Sequence, residues 1–255
     1  MSVSFDFTGK SVLVTGASSG IGQGVAAAFA RAGAQLTILS DTDGIHDAAA
    51  AIHGTVKAIK CDISDASAVI AALADIERVD VLVNNAGLEK PTPLSGTNPT
   101  GDATFERIMA INVNGTRNVT DALINRIPNG GRILITASIW AKTAVGGFSA
   151  YVASKHANVG LMRTWAQELG PRGIRVNAIC PGWVKTGPAM ASLGELATSS
   201  GMTEDALLAD IISAQAVDGL MTPEDMADTY LFLASDGGRN ITGQAINVDR
   251  GEVMS

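Results

Sequence analysis

Short apolar runs of strand length recur along this chain and alternate with longer stretches in which apolar positions return every three or four residues. The strand-like runs fall at Ser11–Thr15, Gln35–Ser40, Val56–Lys60, 79–84, 132–137, 174–179 and Ala245–Val248. Helical spacing covers 21–32, 103–126, Ser149–Leu169, 204–214 and Pro223–Ala234, the last opening with proline at its first turn, where a missing N–H does no harm. This alternation predicts an α/β fold: one doubly wound, seven-stranded parallel sheet with helices on both faces. Ligands of such sheets bind beyond the carboxyl ends of the strands, so the turns at those ends carry the chemistry.

Composition agrees with a single domain. The chain has 255 residues, 46% of them hydrophobic, with 28 glycines and 17% charged residues, enough for one large core. Aromatic residues are few, and Ala, Val, Ile and Gly abound, as fits helices packed closely on a parallel sheet. A formal charge of −7 with no basic run argues against nucleic-acid and anionic-membrane partners. Cys61 and Cys180 lie far apart and fit no metal spacing; they read as reduced core thiols of a cytoplasmic protein. None of His46, His53 and His156 pairs at a ligand spacing, so no metal is expected. No signal peptide, membrane-length run, repeat or low-complexity linker is legible.

Tyr151 and Lys155 are the most informative pair in the chain. Four residues apart on a predicted helix, their side chains project from one face as neighbours. A free phenol, with a pKa near ~10, does not readily give up its proton at neutral pH. A cation about 5 Å away, at an effective dielectric of ~20, favours the phenolate by roughly 3 kcal/mol, which lowers the pKa by about two. The phenol can then exchange a proton with an alcohol or a ketone. The same spacing also occurs on solvated helix faces, so the rest of the chain decides between the two readings.

After the first strand comes Thr15-Gly-Ala-Ser-Ser-Gly-Ile-Gly22, which opens a helix. Gly16 suits a tight turn, Gly20 the approach of a phosphate to the backbone, and Gly22 close packing of helix on strand. The second strand ends at Ser40-Asp41, where an acid can accept hydrogen bonds from an adenosine ribose or cap the following helix. Asp62, after the third strand, can meet an adenine edge or serve as a cap. Asn84-Asn-Ala-Gly87 ends the fourth strand with small residues that would let a ribose or flat ring lie against the backbone, or form a plain turn.

Taken together these residues resemble the short-chain dehydrogenase/reductase family in its single-domain, Rossmann-like form. The matching motifs are Thr15-Gly-x-x-x-Gly-x-Gly22, Asn84-Asn-Ala-Gly87, Asn112 within Ile111-Asn-Val, Ser138, Tyr151-x-x-x-Lys155 and Pro181-Gly182, in the family's order and over nearly the whole chain. The resemblance implies a catalytic set of Asn112, Ser138, Tyr151 and Lys155. Tyr151 would be the general acid/base, with Lys155 lowering its pKa and holding the nicotinamide ribose. Ser138 would polarise the substrate oxygen, and Asn112 would anchor a water that relays protons from Lys155. A dinucleotide would contact Gly16, Ser18, Ser19, Gly20, Ile21, Gly22, Ser40, Asp41, Asp62, Ile63, Asn84, Ala86 and Gly87. Tyr151, Lys155, Pro181, Gly182, Val184 and Thr186 would meet its nicotinamide half. A homotetramer is implied as well, with 103–126 and Ser149–Leu169 as contact elements.

Two departures from the family pattern stand out. NAD-type members often carry aspartate where this chain has Ser40, and NADP-type members often carry arginine where it has Asp41. An acid at 41, with no Lys or Arg between Arg31 and Lys57, favours NAD. Arg250 stands where the family usually has glycine, near the subunit contacts and substrate mouth of relatives.

The substrate is a secondary alcohol or ketone on this reading: a small polar alcohol, a polyol or sugar, or a cyclic ketone. Its walls would be Leu88, Glu89, Lys90, Ile139, Trp140, Phe148 and Trp183, under a mobile segment over 185–220 that contains a Ser/Gly stretch. Two competing readings are an NADPH-dependent 3-oxoacyl-(acyl-carrier-protein) reductase and a catalytically silent nucleotide-binding regulator. The first wants a basic docking surface; the second predicts loss of one of the four catalytic residues.

Overall fold

The computed structural model describes residues 3–94 and 101–254. Seven strands form one parallel sheet in the order β3-β2-β1-β4-β5-β6-β7. They are β1 (Ser11–Thr15), β2 (Gln35–Ser40), β3 (Val56–Lys60), β4 (Val81–Asn84), β5 (Arg132–Thr136), β6 (Arg175–Pro181) and β7 (Ala245–Val248). The chain runs outward from β1 to β3, then returns to the other side of β1 as β4. The carboxyl ends of β1 and β4 therefore diverge into a crevice, the place where such sheets bind ligands.

The central strands of the sheet are buried on both faces, which is why they read as continuous apolar runs. Successive side chains along β1 point to opposite faces: Val12 and Val14 join one core layer, and Leu13 the other. The first layer lies under α1 (Gly20–Arg31), α2 (Gly44–Ala51) and α9 (Pro223–Ala234), with Phe29, Ile45 and Tyr230 fully buried in it. The second lies under α3 (Ala66–Ala72), α5 (Thr116–Leu123) and α6 (Ser149–Leu169), around Leu82, Leu123 and Met162.

Two segments differ from the pattern reading. The single helix expected over 103–126 is divided into α4 (Gly101–Met109), a π-helical turn (Ala110–Gly115), α5 and a closing 3-10 turn. The wide turn carries Asn112, which is fully buried. The Ser/Gly stretch after Thr186 is helical, forming α7 (Gly187–Ser200), followed by α8 (Glu204–Ser213). Thr186 caps α7 by accepting the Ala189 N–H at 3.2 Å, Pro188 sits in its first turn, and Gly201, left-handed at φ 69°, ends it. Strand bounds also shift slightly: β4 begins at Val81, and β6 extends to Pro181. Among the described residues, no helix is long and apolar enough to cross a membrane.

α9 is fastened at its start by a capping box. The Thr222 hydroxyl accepts from Asp225 N, and the Asp225 carboxylate accepts from Thr222 N at 2.7 Å. Thr222→Ala should cost about 1 kcal/mol and lower the melting temperature by roughly 2–4 °C. Thermal unfolding followed by circular dichroism checks this, and an unchanged midpoint would mean that packing alone sets the start of α9.

Candidate active site

At the end of β1 the chain turns sharply at Gly16, whose φ is +65°. A Cβ there would stand 2.6 Å from Ala86 Cα, so only glycine lets the first turn lie against the loop after β4. A Cβ on Gly22 would meet the Gly16 carbonyl at 2.3 Å, which fixes how closely α1 packs behind that turn. Ser19, the N-cap of α1, is extended and makes no side-chain capping bond, and the first turn holds no acidic residue. The first N–H groups of α1 thus lack a capping side chain at the positive end of the helix dipole, an arrangement suited to a phosphate. Beside it the Ser18 and Ser40 hydroxyls lie 3.0 Å apart, and Ser40 Oγ is 3.4 Å from the Asp41 carboxylate.

The other end of the crevice is built by β5 and α6. Lys155 is only 3% exposed, and its ammonium donates to the Thr136 carbonyl at 2.7 Å. The same nitrogen lies 5.4 Å from the centre of the Tyr151 ring. Ser138, just past β5, caps a 3-10 turn by accepting the Trp140 N–H at 3.1 Å and hydrogen-bonds the Tyr151 phenol. Trp140 meets the Tyr151 ring edge-on, with centroids 5.9 Å apart. One cavity of about 430 Å3 joins the two ends, from Gly16, Ser19 and Asp41 to Ser138, Tyr151 and Lys155. An uncapped helix start at one end and a phenol–ammonium pair at the other fit a nicotinamide dinucleotide and a substrate oxygen.

Comparison with known proteins gives the same picture. Residues 16–252 match the family model described as enoyl-(acyl carrier protein) reductase. The chain belongs to the short-chain dehydrogenase/reductase family. Oxidoreductase UcpA of Salmonella typhimurium is 36% identical over 97% of this chain and 95% of that protein. D-threitol dehydrogenase of Mycolicibacterium smegmatis is 35% identical over 98% and 96% of the two chains. Among solved structures, 3-ketoacyl-(acyl-carrier-protein) reductase of Brucella melitensis, complexed with NADH, is 32% identical, with a TM-score of 0.82 over 97% of this chain and 99% of that one.

The site depends on residues behind its walls as well as on them. The cavity is lined by Gly16, Ser18, Ser19, Gly20, Ile21, Ser40, Asp41, Asp62, Ile63, Ala86, Gly87, Ser138, Tyr151, Lys155, Pro181, Gly182, Val184 and Thr186. Gly22, Asn84 and Asn112 stand outside that lining. The Asn84 amide donates to Thr120 Oγ1 on α5 at 3.0 Å, while Asn85 lines the cavity. Alternation along the strand end puts the two asparagines on opposite sides. Asn112, expected to anchor a water, has its side chain occupied. Its Oδ1 accepts Leu88 N at 2.7 Å, and its Nδ2 donates to Leu88 O at 3.0 Å and Ser154 Oγ at 2.9 Å. Both Asp62 carboxylate oxygens are also engaged, one by Ser64 and the other by Arg107 at 2.7 Å.

The substrate end shows similar differences. Leu88, Glu89, Ile139, Trp140 and Trp183 line the cavity. Phe148 instead supports Trp140 from the core, with ring centroids 5.4 Å apart, and Lys90 turns to Glu195 of α7 at 3.9 Å. Arg250, held at φ 55°, donates to Asp218 O at 2.9 Å and so ties the C-terminal segment to the end of 185–220. On α6, Val159 and Met162 belong to the core and Trp165 and Leu169 pack partly against it.

Thr136, Asn85 and Tyr230 were missed by the sequence reading. Thr136 Oγ1 donates to Asn85 Oδ1 at 3.1 Å, so the Tyr230 hydroxyl, 2.7 Å away, must donate to Thr136. Asn85 Nδ2 in turn donates to the carbonyls of Thr15 and Gly16, each at 3.1 Å. The only signal in the sequence is a polar group inside an apolar strand or stripe.

Electrostatics here run against the simple expectation. Burial pushes the Tyr151 phenol above its usual range and the charge of Glu89 pushes it further, while the Ser138 hydrogen bond pulls it back. Lys155 pays for its own burial: desolvation pulls its pKa down from 10.5 to about 8, against the opposing charge of Glu89. A cation this poorly solvated, aimed at a carbonyl, does not outweigh the burial of its neighbour.

Because the folded pKa of Lys155 lies below its unfolded value, the unfolded chain binds the extra proton between the two. Folding is therefore favoured increasingly as pH rises through that window. Wild type should gain about 2 kcal/mol relative to Lys155→Met between about pH 7.5 and about pH 10. Urea denaturation of both proteins at the two pH values measures the difference, and parallel pH dependences would show that Lys155 keeps an ordinary pKa.

Proposed function

We propose that this protein is an oxidoreductase that transfers a hydride between NAD(H) and a secondary alcohol or ketone, with Tyr151 exchanging the substrate proton. The observation that carries the reading is the convergence of Ser138, Tyr151 and Lys155 on the cavity that also receives the open start of α1. The nicotinamide supplies the redox chemistry when bound; the chain supplies position and proton transfer. Ser138 and Tyr151 would hold the substrate oxygen between two hydroxyls. The phenol, kept protonated by burial and by Glu89, is in the form that donates to a ketone oxygen. Lys155 has three N–H donors and gives one to Thr136, leaving the others for ribose hydroxyls.

The Brucella melitensis relative favours a second reading, reduction of a 3-oxoacyl thioester on an acyl carrier protein. Its acidic partner would need a basic surface. Arg172 is engaged with the carbonyls of Ile124 and Ile127, and Arg163 borders a groove with Gln167 and Gly243, away from the cavity. An absorbance assay of reduced nicotinamide with secondary alcohols, simple ketones and an acetoacetyl thioester separates the readings. A homotetramer in the cytoplasm completes the proposal, supported by family membership and by two buried free thiols. Light scattering tests the assembly.

Tyr151→Phe removes only the proton-bearing oxygen. It should lower kcat by about 10²- to 10⁴-fold while leaving fold and cofactor affinity intact. Retention of substantial turnover would remove Tyr151 from the reaction.

NAD should be preferred over NADP. A 2′-phosphate carries nearly two negative charges, and about 5 Å from Asp41 in a largely aqueous setting the repulsion is roughly 1–2 kcal/mol, about tenfold in affinity. A ribose hydroxyl can instead donate to the carboxylate. Comparing kcat/KM for the two cofactors measures the preference, which Asp41→Arg should shift towards NADP; a wild-type ratio favouring NADP overturns it.

A further inference from the structure

Glu89 follows the Asn-Asn-Ala-Gly turn and lines the substrate end of the cavity. Its backbone is not free to move, because both polar backbone atoms of Leu88 are held by the fully buried Asn112. The carboxylate is placed where its charge acts on both Tyr151 and Lys155. Its hydrogen-bond partner is the hydroxyl of Ser192 on α7, itself only 7% exposed. The same cavity wall carries the apolar side chains of Leu88, Ile139, Trp140 and Trp183. A carboxylate offers about four acceptor positions, and one serine fills one of them. Among the described residues, no lysine or arginine forms a salt bridge with Glu89. A charged group held in such a wall with unused acceptors is suited to donors brought by the ligand.

The kind of donor follows from the surrounding charge. Lys155 and Lys90 both act on Glu89. A cationic ligand would meet two positive charges for one negative, whereas a neutral hydroxyl adds no charge and gains a charge-assisted hydrogen bond.

We propose that Glu89 determines substrate specificity and selects polyhydroxylated substrates, a polyol or its hydroxyketone, by accepting a hydrogen bond from a hydroxyl near the reacting carbon. This rests on the oxidoreductase reading above and names the substrate class within it. The simpler alternative is that Glu89 only latches α7 through Ser192. A latch would affect all substrates alike; a hydroxyl-binding residue affects those with the second hydroxyl.

The test compares threitol with 2-butanol, both four-carbon alcohols, in the presence of NAD. Wild type should prefer threitol in kcat/KM. Glu89→Leu should reduce the threitol-to-butanol ratio by about 10- to 100-fold, and Glu89→Gln by less, because its amide oxygen still accepts. Ser192→Ala, which cuts the latch and frees an acceptor, should keep the ratio or raise it. An equal loss for both alcohols in Glu89→Leu, or a collapse of the ratio in Ser192→Ala, overturns the proposal. So does a wild-type preference for an amino alcohol over threitol. If wild type oxidises neither probe, the proposed activity is what has failed, and fluorescence of the wall tryptophans, titrated with threitol, then decides the recognition on its own. Saturable quenching that is lost in Glu89→Leu supports it, and quenching that is absent or equal in both proteins overturns it.

Discussion

An ammonium group held out of water governs this site. Lys155 is 3% exposed, and its ammonium donates to the carbonyl of Thr136, the last residue of β5. Burial of an ion is costly and here takes the form of a pKa lowered to about 8, against the opposing charge of Glu89. The geometry around it follows from that cost. β5 must end where its carbonyl can turn to the lysine, and α6 must hold Tyr151 one turn away from it. The loop after β4 must come close as well: a Cβ on Gly87 would lie 3.4 Å from Lys155 Nζ.

The two ends of the crevice are one structure because a single hydrogen-bond chain runs beneath them. It starts at Tyr230 in α9, passes through Thr136 and Asn85, and ends on the Thr15 and Gly16 carbonyls at the glycine turn. Valence fixes its direction, since each hydroxyl has one proton to give. Each link contributes only about 1 kcal/mol net, but a buried partner left unsatisfied costs about 1–3 kcal/mol. Thr136 therefore serves twice: its carbonyl anchors the lysine and its hydroxyl ties β5 to the nucleotide turn.

Most of the architecture was legible in the sequence because the physics involved is local. Short apolar runs, helical spacing, glycine turns and caps are short-range signals, and they place all seven strands and the Tyr151–Lys155 pair. What escaped depends on contacts between distant segments. Asn84 and Asn85 are equivalent as letters, and only the strand end shows which one faces the cavity. The break at Ala110–Gly115 has no proline or glycine pair to announce it, and its buried amide is engaged with Leu88, distant in sequence. The behaviour of the Tyr151 phenol was misread for a similar reason. Spacing gives the distance to a cation, but it does not give the loss of solvent that outweighs it.

That π-helical turn links the fold to the chemistry. Wide turns are rarer than regular helix, and one persists where the extra width places a side chain that regular spacing would misdirect. Here the displaced side chain is Asn112, which grips Leu88 through both backbone atoms and Ser154 through a hydroxyl. Ser154 precedes Lys155 and also donates to the Tyr151 carbonyl at 2.7 Å. A single buried amide thus fixes the loop that carries Glu89 against the helix that carries Tyr151 and Lys155. The carboxylate, the phenol and the ammonium keep their mutual distances because all three are referenced to Asn112.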